Sequence, residues 1–558
     1  MAAESTSIFQ QLDFQLEQIL ASWNIYTLLI GLILVIYLIY PLFYYAEPDI
    51  YPLLLARQSA ASPVRQPGES SSFRSLETPH GYPLKSGLNV KDPGAPKWTS
   101  GKDGDLRDIW KRAVSGFVGN DDKPTGEAGK VLTVLGKEEA IEYTFAKLSA
   151  EINAIGQHVK AHGEGRVAIY LPNSVELLVS LFAATFYGIT PILVPPEQPL
   201  DTLAGILRET RAEVLIAGAG ALPLTELLQQ YKSLKQMIWV VERTSRHMDW
   251  NEVPEGVGGN ADIAVWHDII EDKASAPSEL PTEVLGGTVP NILFVVEDGL
   301  SAMDSYEIIE FTQKNIVAAV GAQISVLPRN HRLAPTDLLT PLASLTEMYP
   351  LTVTLAALFS NASLALTPVS GPTVPYSSAF QGASPTIVIA GTQTLSNLCK
   401  HHERVQSHKI GIGHWWKSRS LETGVLPKVS GTSNPRLIYT YDKSNASTVP
   451  LSPLEFFNLK LFTGARFVYA FTDPRVAGAV SQTNIFDYSK RGHGEDGKSH
   501  FGPPLSSVEI KMRDTGESKS EGGRSVGQLV ISGPAIVGGQ VVADQILCMT
   551  DENTLAYT

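Results

Sequence analysis

Cysteine is nearly absent from this chain. Cys399 and Cys548 are the only two in 558 residues. That excludes a disulfide framework and a zinc site built on cysteine. Excess positive charge is missing too: 44 Lys and Arg face 57 Asp and Glu, a net charge of −13. A general nucleic-acid binder presents a basic face, so nucleic acid is not an expected partner. No Walker loop, G-x-S-x-G elbow or H-E-x-x-H motif occurs. His267 and Asp272 fit an H-x-x-x-x-D spacing by chance. Cys399, His401 and His402 lie too close in sequence to face one ion, so no metal site is expected. What is present is ordinary globular composition, with 43% apolar residues, in a length of roughly three or four domain-equivalents.

Charge is also missing locally. No charged residue lies between Gln18 and Ala46, and no Lys or Arg precedes Arg57. The run from Ile25 to Phe43 has the length of a bilayer span, with Trp23, Tyr26, Tyr40, Tyr44 and Tyr45 near its ends. A secretory signal needs a basic start, but Glu4, Asp13 and Glu17 stand there instead. The expected organisation is a short N-terminal segment (1–24), a transmembrane helix (25–45), a Pro/Gly/Ser-rich tether (46–106) and a large domain (107–558). Arg57, Arg65, Arg74 and Lys85 follow the apolar run, so the positive-inside rule puts the large domain in the cytosol.

Within that domain, strands expected at Val167–Leu171, Ile192–Val194, Val214–Ala217 and Met237–Val241 alternate with helices at Ser174–Tyr187, Thr202–Thr210 and Leu222–Tyr231. Such alternation builds βαβ units. The fold class is therefore α/β, with doubly wound, mainly parallel sheets. Short strands at Val508–Met512 and Val526–Ser532 add a small β subdomain. Lys400, Arg404, Lys409, Trp415, Trp416 and Lys417 form a basic and aromatic patch in an acidic chain. It reads as a solvated surface hairpin or as a contact with the anionic leaflet of a lipid bilayer.

Several segments, in order, resemble the adenylate-forming (AMP-forming) synthetase family. They are Tyr143-Thr-Phe-Ala-Lys-Leu148, Gly165-Arg-Val-Ala-Ile-Tyr-Leu-Pro-Asn-Ser-Val-Glu176, Thr340-Pro-Leu-Ala-Ser-Leu-Thr-Glu347, Pro450-Leu-Ser-Pro453, Gly464-Ala-Arg-Phe-Val-Tyr-Ala-Phe-Thr-Asp473 and Phe501-Gly-Pro-Pro-Leu505. The fourth of these resembles the family's "A-P-L-S" element. The element ending at Glu347 resembles the long-chain acyl-CoA synthetases, which usually have His where Ser344 stands; Ser344 and Glu347 are the expected acyl-pocket element. The resemblance implies that Thr472 contacts the α-phosphate of ATP. It further implies Asp473 as the Mg²⁺-binding acid, Tyr469 near adenine and Asp551 as a ribose ligand.

Against that family the chain departs in two places. The phosphate loop normally supplies glycines, hydroxyls and a Lys. Here it reads Phe294-Val-Val-Glu-Asp-Gly-Leu-Ser-Ala-Met-Asp-Ser305. Gly299 and Ser301 remain, no Lys is present, and Glu297 and Asp298 bring negative charge. After Met549-Thr-Asp-Glu-Asn553 the given sequence stops at Thr558, before the small domain that carries the family's catalytic Lys. The expected function is a catalytically impaired, membrane-anchored acyl-CoA-synthetase-like protein. It would bind fatty acid or acyl-CoA or scaffold lipid-metabolic proteins, with the endoplasmic reticulum as the expected membrane. The alternatives are an active, divergent fatty-acid–CoA ligase, for which ATP and Mg²⁺ would be cofactors, and an interaction protein without a small ligand.

Overall fold

The computed structural model describes residues 17, 18, 21, 24–43 and 47–558, apart from 92–94, 97, 117–127, 135–139, 164, 242–260, 274–278, 285–286, 298–305, 372, 407–411, 430–433, 445–449, 491–498 and 516–524. The chain divides into two units, Met1–Asp49 and Ile50–Thr558.

In the first unit Ile25–Phe43 is helical. Asn24 starts it, its side chain accepting hydrogen bonds from the Tyr26 and Thr27 N–H groups at 3.1 and 3.0 Å. Among the described residues no helix is long and apolar enough to cross a membrane. This corrects the expected transmembrane helix over 25–45, and with it the single-pass placement in the endoplasmic reticulum. The apolar run is continuous in sequence.

In the second unit, three sheets are seen among the described residues. The first runs Tyr306–Phe311, Ile292–Glu297, Thr190–Leu193, Arg166–Tyr170, Val214–Gly218, Gln236–Val240, Asp262–Val265. All its pairs are parallel except the hairpin of Ile292–Glu297 with Tyr306–Phe311. The second sheet has a parallel centre: Arg466–Thr472, Leu437–Lys443, Ile387–Ile389, Leu338–Pro341, Ser363–Leu366 and Val131–Thr133. The helices Val175–Tyr187 and Met348–Phe359 are apolar on nearly every side and buried. A helix of that pattern needs neighbours all round. Here they share one continuous core with strands of both sheets. Ser174 caps the first of these helices, accepting from the Leu177 N–H, and Gly188 ends it in the left-handed conformation.

The third sheet is antiparallel and contains a departure from the expected tether. Ser59–Arg65 and Ser71–Ser75 form a hairpin that pairs with Glu509–Arg513. The segment is Ser-rich, so its alternation is faint: Phe73 alone of its Ser71–Ser75 strand reaches the core. Polar ties hold the hairpin. The Ser59 hydroxyl donates to the Asn553 carbonyl at 2.7 Å, and the Gln58 amide donates to Asp487 Oδ2 at 3.4 Å.

Asp487 anchors a buried charged cluster. His500 Nε2 lies 3.0 Å from its Oδ2, and the Ser489 N–H donates to its Oδ1 at 3.0 Å. The Gly502 N–H donates to His500 Nδ1, which leaves Nε2 to carry the proton facing the carboxylate. Burial alone would push the Asp487 carboxyl up. The His500 ring, Lys460 and the Ser489 N–H outweigh that and hold it well below the usual range.

Lys460 is 1% exposed. Its ammonium donates to the Asp487 carbonyl and sits 3.8 Å from the Phe456 ring centroid. Burial lowers its pKa from 10.5 to about 8. Between those values the unfolded chain holds the proton and the fold does not, so stability rises with pH across that window. Urea melts from pH 8 to 10.5 should show a rise of at most about 3 kcal/mol from this group, absent in Lys460→Met.

Candidate functional site

The buried run Leu437–Asp442 ends at Lys443, and the neighbouring parallel strand ends at Thr472, paired with Lys443 in register. Side chains just past such strand ends face the crevice where open α/β sheets receive ligands. A cleft of about 440 Å³ lies there. One wall comes from these strand ends with Ala343, Ser344 and Gly391. The opposite wall comes from Phe294–Glu297, Phe311 and the Pro195–Glu197 turn. Gly478 also lines it at φ +77, where an added Cβ would crowd Ala319 and Thr352 at 3.2 Å.

Five of the residues singled out in the sequence meet in this cleft: Glu297, Ser344, Glu347, Thr472 and Asp473. Ser344 hydrogen-bonds the Thr346 hydroxyl at 2.8 Å. The Thr472 hydroxyl donates to the Asp442 carbonyl at 2.9 Å. Asp473 accepts from the Ser444 hydroxyl at 2.8 Å and the Arg475 N–H at 3.0 Å. Burial pushes the Asp473 carboxyl above its ordinary value against those bonds. Glu297 accepts from the Gln198 amide at 2.6 Å.

Tyr469 and Asp551 are placed elsewhere. Tyr469 is fully buried, with its hydroxyl 3.4 Å from Asp442 Oδ2 and accepting from the Leu451 N–H. Asp551 is exposed on the turn between Thr550 and Thr554. Asp298, Gly299 and Ser301 lie outside the described residues, as does Lys409. The remaining patch residues sit on two helices: Lys400 and Arg404 on Thr392–Gln406, Trp415, Trp416 and Lys417 on Ile412–Glu422. The two indoles meet edge to face at 5.0 Å.

Sequence reasoning missed Lys443 and Tyr441. The Lys443 ammonium pairs with Glu347 at 3.0 Å, and the Tyr441 hydroxyl donates to the same carboxylate oxygen. The signal was available: a lysine closing an otherwise buried strand stands at a ligand-facing edge.

The sequence of residues 123–279 matches the AMP-binding enzyme family. Among solved structures, the chain is similar to the anthranilate CoA ligase AuaEII in complex with anthranoyl-AMP. The TM-score is 0.59 at 15% identity, over 84% of this chain and 78% of that one. The fold is that of the adenylate-forming enzymes. A long-chain-fatty-acid-CoA ligase from Archaeoglobus fulgidus gives TM-score 0.56 at 14% identity, covering 85% and 86%. The N-terminal domain of FACL13 from Mycobacterium tuberculosis gives 0.57 at 14%, covering 82% and 100%. Chondramide synthase cmdD from Chondromyces crocatus is 29% identical over 82 residues, 14% of this chain. The chain spans 2% of that curated relative's length.

An adenylate-forming fold implies ATP with Mg²⁺, and the described lining does not fit the polyphosphate. Glu197, Glu297, Glu347 and Asp473 face the cleft, and among the described residues Lys443 is the one lysine or arginine in the lining. That lysine already neutralises Glu347. Each unit-charge pair roughly 8 Å apart repels by about 2 kcal/mol at an effective dielectric of about 20, and a polyphosphate multiplies this. In sequence, residues 298–305 include two aspartates and no Lys or Arg. Among the described residues no group of three His, Cys, Asp or Glu is placed to hold a metal ion.

Proposed function

We propose that this chain is an acyl-CoA-ligase-like protein that binds an organic acid or its acyl derivative without activating it through ATP. The observation that carries this reading is the lining of the cleft: an apolar wall beside four carboxylates and a single, engaged lysine. The apolar lining residues Phe294, Val296, Phe311, Met348 and Val476 suit a hydrocarbon or aryl body. A monoanion needs one cation, whereas ATP would meet the carboxylates with its phosphates. The fatty-acid and aryl-acid ligases of the same fold supply the ligand classes to test.

The test is thermal denaturation with millimolar ATP and Mg²⁺, and separately with a fatty or aryl acid. Ligand that binds the native state raises the midpoint as its concentration passes Kd. The reading expects a rise with the acid and none with ATP and Mg²⁺. A rise with ATP and Mg²⁺ of the size given by the acid would overturn it.

A further inference from the structure

We infer that Lys443 receives the head of an apolar monocarboxylate in this cleft, and that Glu347 is its built-in competitor. The inference rests on the reading of the cleft as an organic-acid site and assigns the group that recognises the acid.

An ammonium has three donors. Among the described residues the Lys443 side chain meets Glu347 at 3.0 Å and has no further partner. Its remaining donors are therefore left for a ligand. The two sides of the pair are held unequally. Glu347 is fixed by the Tyr441 hydroxyl, and the Tyr441 ring packs on Tyr349 with centroids 5.2 Å apart. Lys443 stands on a flexible stem at a strand end. The side chains of Lys443 and Glu347 are 39% and 27% exposed, so the pair is open to the cleft. A partly solvated pair of this kind is weak, and a ligand carboxylate can share or displace it.

The surroundings narrow the ligand. Asp473 is turned to Ser444 and Arg475 rather than to Lys443, so it adds repulsion without occupying the lysine. Phe294, Phe311, Met348 and Val476 offer an apolar surface in the same cleft. One cation, several carboxylates and an apolar wall select a single negative charge on an apolar body and disfavour a polyanion.

Octanoate tests the assignment, with 1-octanol as the uncharged control, by calorimetric titration of the full chain. Glu347→Gln keeps an acceptor for Tyr441 and removes the competing charge. It should tighten octanoate binding about tenfold, the order of one charge-assisted hydrogen bond. Lys443→Met should weaken octanoate binding about tenfold or more, and neither change should move octanol. In the double variant, Glu347→Gln should tighten binding clearly less than in the parent, because only its direct repulsion of the carboxylate remains once the lysine is gone. Coincident thermal melts establish that the variants are folded. The assignment is overturned if Lys443→Met binds octanoate like the parent, or if Glu347→Gln tightens it equally with Met at 443. Failure of both the parent and Glu347→Gln to bind octanoate overturns it as well. Binding of ATP and Mg²⁺ by the same protein would defeat the proposed function alone and leave this assignment standing.

Discussion

Replacing Asp487 with alanine should destabilise the second unit by about 3–5 kcal/mol, the usual cost of stripping one partner from a buried charged network. The carboxylate is surrounded by His500 Nε2, the Ser489 N–H and the Gln58 amide. Lys460 holds the carbonyl of the same residue. Removal leaves the His500, Ser489 and Gln58 donors without their acceptor, while Lys460 keeps the main-chain carbonyl but loses the negative charge beside its enclosed ammonium. Gln58 also loses a tie, although its N–H still donates to the Glu552 carbonyl at 2.9 Å. Urea unfolding gives the stability change. Hydrogen exchange over residues 58–75 should speed up beyond the global loss. Asp487→Asn should cost less, because the amide oxygen still accepts from Ser489. A loss below about 1 kcal/mol for the alanine variant would show that the cluster is not a structural tie.

Trp110→Ala should cost a similar amount, about 3–5 kcal/mol, by a different route. Trp110 is 1% exposed on the helix Leu106–Ser115. Its ring lies 4.7 Å from Phe182 and 5.5 Å from Phe145, and its indole N–H donates to the Ser149 hydroxyl at 3.1 Å. Three helices therefore meet on one side chain. Alanine leaves a cavity that rigid neighbours fill poorly, together with an unpaired buried hydroxyl. Trp110→Phe keeps most of the volume and should recover more than half of the loss. Equilibrium unfolding in urea with an unchanged m-value would assign the effect to the native core.

The elements of the large unit were legible where burial writes a strong pattern. Val214–Gly218 and Val175–Tyr187 are continuous apolar runs punctuated by Ser174 and Gly188, and they fold within a residue or two of where periodicity puts them. The hairpin at residues 59–75 was illegible, because serines carry little hydrophobic signal and its partner strand lies more than 400 residues away. The helix at Ile25–Phe43 was legible as a helix, whereas the span expected there is not supported among the described residues.

The candidate site divides along the same line. Glu297, Ser344, Glu347, Thr472 and Asp473 carry motif signal and come together in the cleft. Lys443 carries no motif; only the strand end and the Glu347 contact mark it. Tyr469 carries motif signal, yet its strand position turns it into the core. Spacing along a strand fixes which face a residue takes, but an exposed end can be recognised only once its neighbours are known.

ATP–pyrophosphate exchange separates a cleft that only binds acids from one that adenylates them. The chain is incubated with Mg²⁺, ATP, labelled pyrophosphate and, in turn, fatty acids of several lengths and aryl acids. A cleft lined by Glu197, Glu297, Glu347 and Asp473 against one engaged lysine predicts no label in ATP above the protein-free blank, whichever acid is supplied. Acid-dependent exchange that vanishes on Asp473→Ala would contradict the account and place adenylation in this cleft.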